Sequence, residues 1–206
     1  MATALFVLIA YLIGSLSFGV LVSRAFGLPN PRSYGSGNPG ATNVLRTGKR
    51  VAALLTLLGD GGKGWLAVFL AQRFAGGMGV EPAGVAGVAI AVFIGHLYPV
   101  FFGFHGGKGV ATAAGILLAV NPWLGLATLV SWIAIAAIFR LSSLAALIAA
   151  AFAPVYYVWL FGIDVMAAAV TAMSALLIWR HKDNIRRLLA GQEGRIGGTK
   201  KPRGQI

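Results

Sequence analysis

The chain has 206 residues and a formal net charge of +12; 58% of its residues are hydrophobic, only five are acidic, and the mean hydropathy is +0.81. A soluble domain of this size needs more charged residues on its surface, and binding of nucleic acid needs a soluble basic face that this composition does not offer. The chain has no cysteine, which excludes disulfides and thiolate metal sites, and its three histidines and five scattered carboxylates argue against any metal site.

Apolar segments recur along the whole chain at lengths that suit membrane-spanning helices, which need roughly 20 apolar residues. The first lacks a basic n-region and a cleavage site of small residues, so it is expected to be retained rather than removed as a signal peptide. The sequence predicts an all-α integral membrane protein whose seven transmembrane helices lie at residues 3–25, 51–75, 83–103, 109–121, 123–140, 142–162 and 163–180.

Two of these spans are expected to be irregular. The fourth is short, and an Asp-Gly-Gly-Lys-Gly stretch at residues 60–64 is expected to interrupt the second. The boundary between the fourth and fifth spans is placed at Asn121-Pro122, because proline cannot continue the helical hydrogen bonding and restricts the residue before it.

The distribution of positive charge predicts the orientation. Seven crossings with the N-terminus outside bring fifteen of the seventeen lysines and arginines to one side of the membrane, the exceptions being Lys63 and Arg73. Such an imbalance marks the cytoplasmic side. We therefore expect a single polytopic domain, residues 1–206, with a cytoplasmic C-terminus and a basic tail over about residues 181–206 that contacts anionic lipid through Lys200, Lys201 and Arg203.

The polar segment at residues 33–46 is rich in glycine and small polar side chains. Glycines let backbone N–H groups turn toward an anion, and a helix that begins near Thr42 would add further free N–H groups. Arg46 can bind phosphate through two parallel hydrogen bonds, and Ser36 adds a hydroxyl. A flexible linker is the alternative. The segment predicts phosphate binding by Gly37, Asn38, Gly40, Ala41, Thr42 and Asn43.

A second glycine-rich stretch, Gly106-Gly-Lys-Gly109, precedes an apolar helix. A lysine at a helix N-terminus favours phosphate binding, here by Lys108 with Gly106, Gly107 and Gly109. The stretch is not a Walker A loop, because glycine follows the lysine and no strand precedes it. The alternative is a positive-inside anchor. His96, in the preceding apolar segment, is expected to be a hydrogen-bonded structural residue rather than a base.

Asp60 and Lys63 place an acid and a base inside the second span. Ionisable residues at membrane depth generally face the interior of the bundle and pair with one another. Either the two residues pair to stabilise a helix break, or Lys63 or the broken helix lines a substrate pocket; the sequence leaves both interpretations open.

Beyond the last span, His181 and Asn184 share one face of a basic helix, because residues three apart are neighbours on a helix surface. A solvated basic tail is the alternative interpretation. Since the pair lies where the chain leaves the membrane, we favour a functional site there.

Three motifs together resemble a known family. They are Gly35-Ser-Gly-Asn-Pro-Gly-Ala-Thr-Asn-Val-Leu-Arg46, then Gly95-His96 and Pro99 followed by Gly106-Gly-Lys-Gly-Val-Ala-Thr112, and finally His181 with Asn184-Ile-x-Arg-Leu-Leu-x-Gly-x-Glu193. In this order they resemble the bacterial acyl-phosphate:glycerol-3-phosphate acyltransferase (PlsY) family, and the resemblance covers nearly the whole chain. It implies transfer of a fatty acyl group from acyl phosphate to the sn-1 hydroxyl of glycerol 3-phosphate, which gives lysophosphatidic acid for phospholipid synthesis.

The resemblance also implies site residues and partners. Ser36, Arg46, Lys108, His181 and Asn184 match residues that the family uses at its active site, with no metal, no other cofactor and no acyl-CoA. The implied partners are the two substrates, membrane lipids and the soluble enzyme that makes acyl phosphate, and the implied location is the bacterial inner membrane with the site facing the cytoplasm. Supporting contacts around the site are expected from Asp60, Lys63, His96, Thr112 and Glu193.

Direct transfer between the substrates is the expected mechanism, with the proton acceptor open between His181 and a substrate phosphate. No base follows Ser36 at a recognisable spacing, which disfavours a covalent serine intermediate. A phosphate or organic-anion transporter is the main alternative function, since permeases also use broken helices and midplane charges. A non-catalytic scaffold that gathers anionic lipid is the second alternative.

Overall fold

The computed structural model describes residues 1–74 and 76–196, and these fold into ten α-helices without any strand. Three short 3-10 segments, Leu45–Thr47, Gly76–Met78 and Val100–Phe102, lie between helices. The all-α prediction is confirmed for this part of the chain. In chain order the helices are α1 (Ala2–Gly14), α2 (Phe18–Ala25), α3 (Ala41–Val44), α4 (Arg50–Phe74), α5 (Pro82–Leu97), α6 (Val110–Val120), α7 (Pro122–Phe139), α8 (Ser142–Phe161), α9 (Val165–Arg180) and α10 (Lys182–Leu189).

Four segments are long and apolar enough to cross a membrane: α4, α7, α8, and α5 together with the 3-10 segment that ends at Phe102. The pair α1 and α2 meets the same test as one span that is bent by 42°. Helices α6 and α9 are apolar but shorter. Within the described ranges this gives four or five candidate spans by length and composition, at positions where the sequence predicts membrane crossings.

The predicted interruption of the second span is wrong, because α4 is continuous from Arg50 to Phe74. Glycines on both helices let α4 and α6 pack closely instead: a Cβ atom on Gly64 would lie 2.4 Å from the carbonyl oxygen of Thr112, and one on Gly115 of α6 would lie 1.9 Å from that of Gly61. Small residues let the backbones of two membrane helices approach each other in this way. Asp60 and Lys63 do pair, with 2.8 Å between Oδ1 and Nζ, but they pair on an intact helix.

The first span carries a break that the sequence analysis did not predict. Between α1 and α2 the chain leaves the helical hydrogen-bonding pattern, and distant residues bind the freed polar groups. Lys63 Nζ donates to the carbonyl oxygen of Leu16 at 2.6 Å, and the Ser15 hydroxyl accepts a hydrogen bond from the N–H of Val100 at 3.3 Å. A break at membrane depth is tolerated where the protein supplies such partners.

The predicted boundary at Asn121-Pro122 is confirmed. The side-chain oxygen of Asn121 accepts hydrogen bonds from the N–H groups of Trp123 (2.9 Å) and Leu124 (3.3 Å), and Pro122 occupies the first turn of α7. Asparagine is a preferred N-cap, and proline at the first helical position has no N–H to leave unpaired.

The helices pack so that one end of the bundle encloses a cavity. Helix α5 lies centrally and contacts α1, α4 and α9; α6 packs between α4 and α7, and α8 between α7 and α9. Phe93, Leu97, Ile116 and Leu124 are fully buried in the core. Large apolar side chains such as Trp159 and Ile163 are exposed, as expected for a surface that faces lipid.

The last described residues return to the helix bundle. After α10 the chain turns back, and the N–H of Ile196 donates to the carbonyl oxygen of Arg140 in the α7–α8 turn at 2.7 Å. Residues 181–196 of the predicted basic tail are therefore folded against the bundle. The tail lysines and arginine predicted to contact lipid (Lys200, Lys201 and Arg203) lie outside the described residues.

Candidate functional site

A cavity of about 480 Å³ opens at the end of the bundle that carries both glycine-rich segments. Its outer part is polar, and its inner part is apolar. The inner part reaches from Ser143 to Ala153 along α8, which corresponds to roughly 15 Å of helix. The polar lining includes Ser36, Asn38, Thr42, Arg46, Lys108, His181, Asn184 and Glu193. The apolar lining includes Leu54, Leu57, Ala114, Leu117, Leu129, Trp132, Ala146, Ala150, Val170 and Met173.

The segment of residues 33–46, here called the first loop, is held in shape by Asn43. This side chain is 2% exposed, and its amide group donates to the carbonyl oxygens of Pro31 (2.7 Å) and Tyr34 (3.2 Å). Its oxygen accepts a hydrogen bond from the N–H of Ser36 at 3.0 Å. All three bonds stay within the loop or its entry, so Asn43 fixes the backbone while the side chains of Ser36 and Arg46 remain exposed.

The segment between Val100–Phe102 and α6, residues 103–109, is here called the glycine loop. It folds back on the end of α5, where the N–H groups of Gly106 and Gly107 donate to the carbonyl oxygens of Leu97 and His96. From the other side Arg180 donates to the carbonyl oxygens of Gly106 and Gly107 at 3.2–3.3 Å. The backbone of the loop is thus held by the end of α5, which precedes it in the chain, and by Arg180 at the end of α9.

Gly109 completes the glycine loop and caps α6. It has a φ of +89°, in the left-handed region that favours glycine. A Cβ atom there would also lie 2.3 Å from the ring of Phe93. Both the turn and the packing therefore require glycine immediately after Lys108.

A chain of polar contacts joins Lys108 to the C-terminal segment. Lys108 Nζ donates to the side-chain oxygen of Asn184, whose amide group donates to Glu193 at 2.6 Å. Glu193 also accepts hydrogen bonds from Ser143 (2.8 Å) and Arg187 (2.7 Å). Asn184 thus links the cation to the carboxylate, and the charge of that carboxylate is already balanced by Arg187.

The pKa values of these groups follow from burial and charge. Burial, together with the nearby Arg187, lowers the pKa of Lys108 to about 8, so the amine is still mostly protonated at pH 7. Burial also lowers the pKa of His181 to about 4, although its hydrogen bond to Leu177 acts in the opposite direction. Burial acts to raise the pKa of Glu193, but the hydrogen bonds from Arg187, Asn184 and Ser143 outweigh it and hold that pKa below its usual range.

The tautomer of His181 follows from its contacts. Nδ1 lies 2.8 Å from the carbonyl oxygen of Leu177, which can only accept, so the neutral ring carries its proton on Nδ1. The lone pair is then on Nε2. Because His181 is 97% buried and lines the cavity, this nitrogen can serve as an acceptor for a bound hydroxyl group.

A second, polar cavity of about 180 Å³ lies beside the first. Ser36, Asn38 and Lys108 border both cavities, and Gly37, Gly106 and Arg180 border the smaller one. Two adjoining spaces that share a lysine and a serine suit two anionic groups held side by side.

The structure thus brings most of the candidate residues together. The five residues proposed for catalysis all line the large cavity, as do Asp60, His96 and Glu193. In the described ranges, Lys63, Thr112 and Gly107 line neither cavity. The interpretation in which Lys63 lines the pocket is therefore wrong, since Lys63 points to Leu16. Helix α4 does line the cavity, through Leu57 and Asp60, but as an unbroken helix. The Thr112 hydroxyl donates to the backbone of Asp60 at 2.9 Å. No group of three histidine or carboxylate side chains in residues 1–74 and 76–196 is placed to hold a metal ion.

Three residues with evident contacts at the site were not among the candidates: Arg180, Ser143 and Arg187. In the sequence, Arg180 contributed only to the positive charge that predicts the cytoplasmic side. Its position next to the candidate His181 could have indicated a role at the site. Ser143 gave no signal, since its partner Glu193 lies fifty residues away.

Comparisons with known proteins agree on the family. A sequence model described as glycerol-3-phosphate acyltransferase matches residues 4–191. The glycerol-3-phosphate acyltransferases of Ralstonia nicotianae and of a Janthinobacterium species are each 67% identical over 201 residues, which cover 98% of this chain and 97% and 100% of those proteins.

Two solved structures have the same fold. Both are crystal structures of PlsY, an integral membrane glycerol 3-phosphate acyltransferase, in its glycerol 3-phosphate form (TM-score 0.89) and its lysophosphatidic acid form (TM-score 0.87). Each is 36% identical to this chain, and each comparison covers 96% of both chains.

Proposed function

The chain belongs to the glycerol-3-phosphate acyltransferase family, and we propose that it transfers a fatty acyl group from acyl phosphate to the sn-1 hydroxyl of glycerol 3-phosphate. The products are lysophosphatidic acid and phosphate. The protein is a multi-pass membrane enzyme, and its reaction feeds phospholipid biosynthesis.

The observation that carries the proposal is the two-part cavity. Its outer part presents the cations Arg46 and Lys108, while its carboxylate, Glu193, is paired with Arg187. Its inner part is apolar for roughly 15 Å along α8. A reaction between a small, anionic, water-soluble acceptor and a lipid-soluble acyl donor needs both environments within one site.

Acyl phosphate as donor is supported by the size of the polar space. The smaller cavity, about 180 Å³, suits a phosphate group, whereas coenzyme A would bring a nucleotide and a long pantetheine arm. The His-x4-Asp motif of another class of glycerolipid acyltransferase is absent from the chain. Phosphate is also a good leaving group, so no nucleophilic side chain is needed. A soluble enzyme that makes acyl phosphate would supply the donor.

We assign the donor phosphate to the backbone of the first loop, and glycerol 3-phosphate to side chains from both loops and from the C-terminal segment. Most N–H groups of the first loop bond within it. Those of Asn38, Ala41 and Thr42 do not, and with Ser36 they bind the donor phosphate and stabilise the charge that develops on it. Arg46, Lys108, His181 and Asn184 bind glycerol 3-phosphate, so that its hydroxyl meets the acyl carbon. In this assignment Asn43 shapes the first loop, because both of its amide hydrogens are donated to loop carbonyls.

The proton of the attacking hydroxyl passes to a substrate phosphate in this mechanism. With a pKa of about 4, His181 is a weak base at neutral pH, whereas a phosphate monoester has its second pKa near 6. His181 then orients the hydroxyl through its free nitrogen. The bond between the acyl carbon and the hydroxyl oxygen forms as the bond to phosphate breaks, and the released phosphate carries the electron pair away.

The proposal includes a topology. Helices α6 and α9 would cross the membrane together with the other candidate spans, giving seven crossings in a single domain, an outer N-terminus and a cytoplasmic site in the inner membrane. The charge imbalance supports this arrangement.

Because the chain lacks cysteine, single cysteines introduced at Ser33 and Gly77 can be labelled without background from other cysteines of the chain. An impermeant thiol reagent added to intact cells should modify only the cysteine at position 77, and labelling of both or only of position 33 would contradict the orientation.

A donor-choice assay tests the function. Purified protein in liposomes should convert glycerol 3-phosphate and acyl phosphate to lysophosphatidic acid, and acyl-CoA should not replace the donor. Uptake of labelled glycerol 3-phosphate without lipid formation would support the transporter alternative. Equal rates with acyl-CoA would contradict the proposed donor but not the acyltransferase activity.

A further inference from the structure

Three ionisable side chains lie buried inside the helix bundle: Asp60, Lys63 and His96, which are 2%, 4% and 7% exposed. Asp60 Oδ1 lies 2.8 Å from Lys63 Nζ and 3.5 Å from His96 Nδ1. Burying such groups in a membrane protein is costly, and replacing a buried ion pair with apolar side chains is often neutral for stability. Stability alone therefore does not account for this cluster.

One end of the cluster is anchored to neighbouring helices, while Asp60 and His96 line the large cavity. Lys63 Nζ donates to the carbonyl oxygen of Leu16, in the break between α1 and α2. The backbone carbonyl of Asp60 accepts a hydrogen bond from the hydroxyl of Thr112 in α6. These bonds tie α4 to the first span and to α6, and the Asp60 carboxylate is held by Lys63, one turn along the same helix.

On the opposite side, His96 lies directly against the glycine loop. A Cβ atom on Gly107 would be 2.2 Å from Nε2 of His96, so the imidazole ring touches the backbone of the loop. The carbonyl oxygen of His96 also accepts the N–H of Gly107 at 3.1 Å. Lys108 is the next residue, and its amine reaches Asn184.

We propose that Asp60, Lys63 and His96 act as positioning residues that hold the glycine loop in place against the end of α5. They thereby fix the position of the Lys108 amine. The ion pair fixes the Asp60 carboxylate, the carboxylate packs against the imidazole ring at 3.5 Å from Nδ1 without a hydrogen bond, and the ring supports the peptide that precedes Lys108. The inference rests on the proposed role of Lys108 in binding glycerol 3-phosphate.

His96→Asn tests the inference with the least disturbance. Asparagine keeps a polar group near Asp60 but removes the part of the ring that touches Gly107. The KM for glycerol 3-phosphate should rise about tenfold, because small displacements of a binding group have effects of this size. The KM for acyl phosphate and the thermal midpoint should stay close to those of the wild type. Lys49→Ala is the control, since Lys49 is exposed and lines neither cavity, and it should leave both KM values unchanged.

A second variant separates positioning from stability. Asp60→Leu with Lys63→Met removes both charges at similar volume, so the protein should keep its thermal midpoint while the KM for glycerol 3-phosphate rises as in His96→Asn. A normal KM in a folded double variant would overturn the inference.

A double-mutant cycle gives a readout that a purely structural role would not move. In a Lys108→Ala background, His96→Asn should change the KM for glycerol 3-phosphate by less than about twofold, because its effect acts through Lys108. Full additivity of the two effects would overturn the inference while leaving the acyltransferase function intact. A wild-type protein that forms no lipid would instead remove the proposed function, and this inference with it.

Discussion

The two glycine-containing loops meet at one cavity but are built in opposite ways. The first loop is organised by its own Asn43, which bonds to Pro31, Tyr34 and Ser36, all within twelve residues. The glycine loop is held by Arg180, more than seventy residues away, and by the end of α5. The first loop leaves the side chain of Arg46 exposed, whereas Lys108 in the glycine loop is half-buried.

The shape of the first loop thus depends mainly on local contacts, whereas that of the glycine loop depends also on tertiary contacts. A loop with its own internal hydrogen bonds can keep its backbone shape with few bonds from distant elements. A loop that also depends on Arg180 of α9 places its lysine only when the bundle is complete. Changes to the backbone support of the first loop should therefore affect acyl phosphate, whereas changes at Arg46 or around the glycine loop should affect glycerol 3-phosphate.

Removing the cations should have the largest effect. Lys108→Ala and Arg46→Ala should each lower kcat/KM about 100- to 1000-fold, because each removes a charge that faces substrate phosphate. Expression and the thermal midpoint should persist. Lys49→Ala is the control, since Lys49 is exposed and lies outside the lining of both cavities. Wild-type turnover in both site variants would remove the assignment of these two residues.

The next effect should come from the internal support of the first loop. Asn43→Ala should lower kcat/KM for acyl phosphate about 100-fold, because three loop hydrogen bonds are lost and each buried one contributes about 1 kcal/mol. The KM for glycerol 3-phosphate should change little. Asn43→Asp should not restore activity, since a carboxylate cannot donate to Pro31 and Tyr34. Equal effects on the two substrates would contradict the independence of the loops.

A smaller effect is expected from the external support of the glycine loop. Arg180→Lys should raise the KM for glycerol 3-phosphate about tenfold, because an ammonium group cannot bind two carbonyl oxygens in the fork geometry of guanidinium. Arg186→Lys serves as the control, since the side chain of Arg186 is 79% exposed. An unchanged KM in Arg180→Lys would show that α5 alone holds the loop.

The smallest effect is expected in the pH profile of activity, and it arises from Lys108 in the glycine loop. Lys108 is protonated below its pKa of about 8 and loses its charge above it, so kcat/KM for glycerol 3-phosphate should fall as the pH rises through 8. Bound phosphate favours the charged amine, so kcat should fall only at higher pH. Lys108→Arg keeps its charge and should lack the fall near pH 8. A profile that is the same in both proteins would assign the titration to another group.

The sequence predicted the features whose causes are local. Asn121-Pro122 marks the start of α7 because capping depends on adjacent residues. Lys108 was a candidate because it lies among glycines at a helix N-terminus, and His181 because it shares a helix face with Asn184 at the membrane exit. The structure places both on one cavity.

The predictions from the sequence were wrong where one residue type can have either of two structural roles. The glycines at 61, 62 and 64 were interpreted as a helix break, but α4 is continuous, and Gly64 lets it pack closely against α6. The true break, between Gly14 and Phe18, lies within an apolar run, and it is stabilised by Lys63, a partner that the local pattern does not reveal. The contact of Ser143 with Glu193 likewise depends on how the C-terminal segment returns to the bundle.

Helix α6 has a consequence for the depth of the site. Its 11 residues make it about 16 Å long, roughly half the thickness of a ~30 Å hydrocarbon layer. None of these residues is exposed, because α4 and α7 pack on either side of the helix. In the proposed topology so short a helix cannot reach both faces of the layer, and the bundle must enclose a depression at one of its ends. The cavity beside Lys108 is such a depression, so water and glycerol 3-phosphate would reach the lysine from within the bundle rather than through lipid.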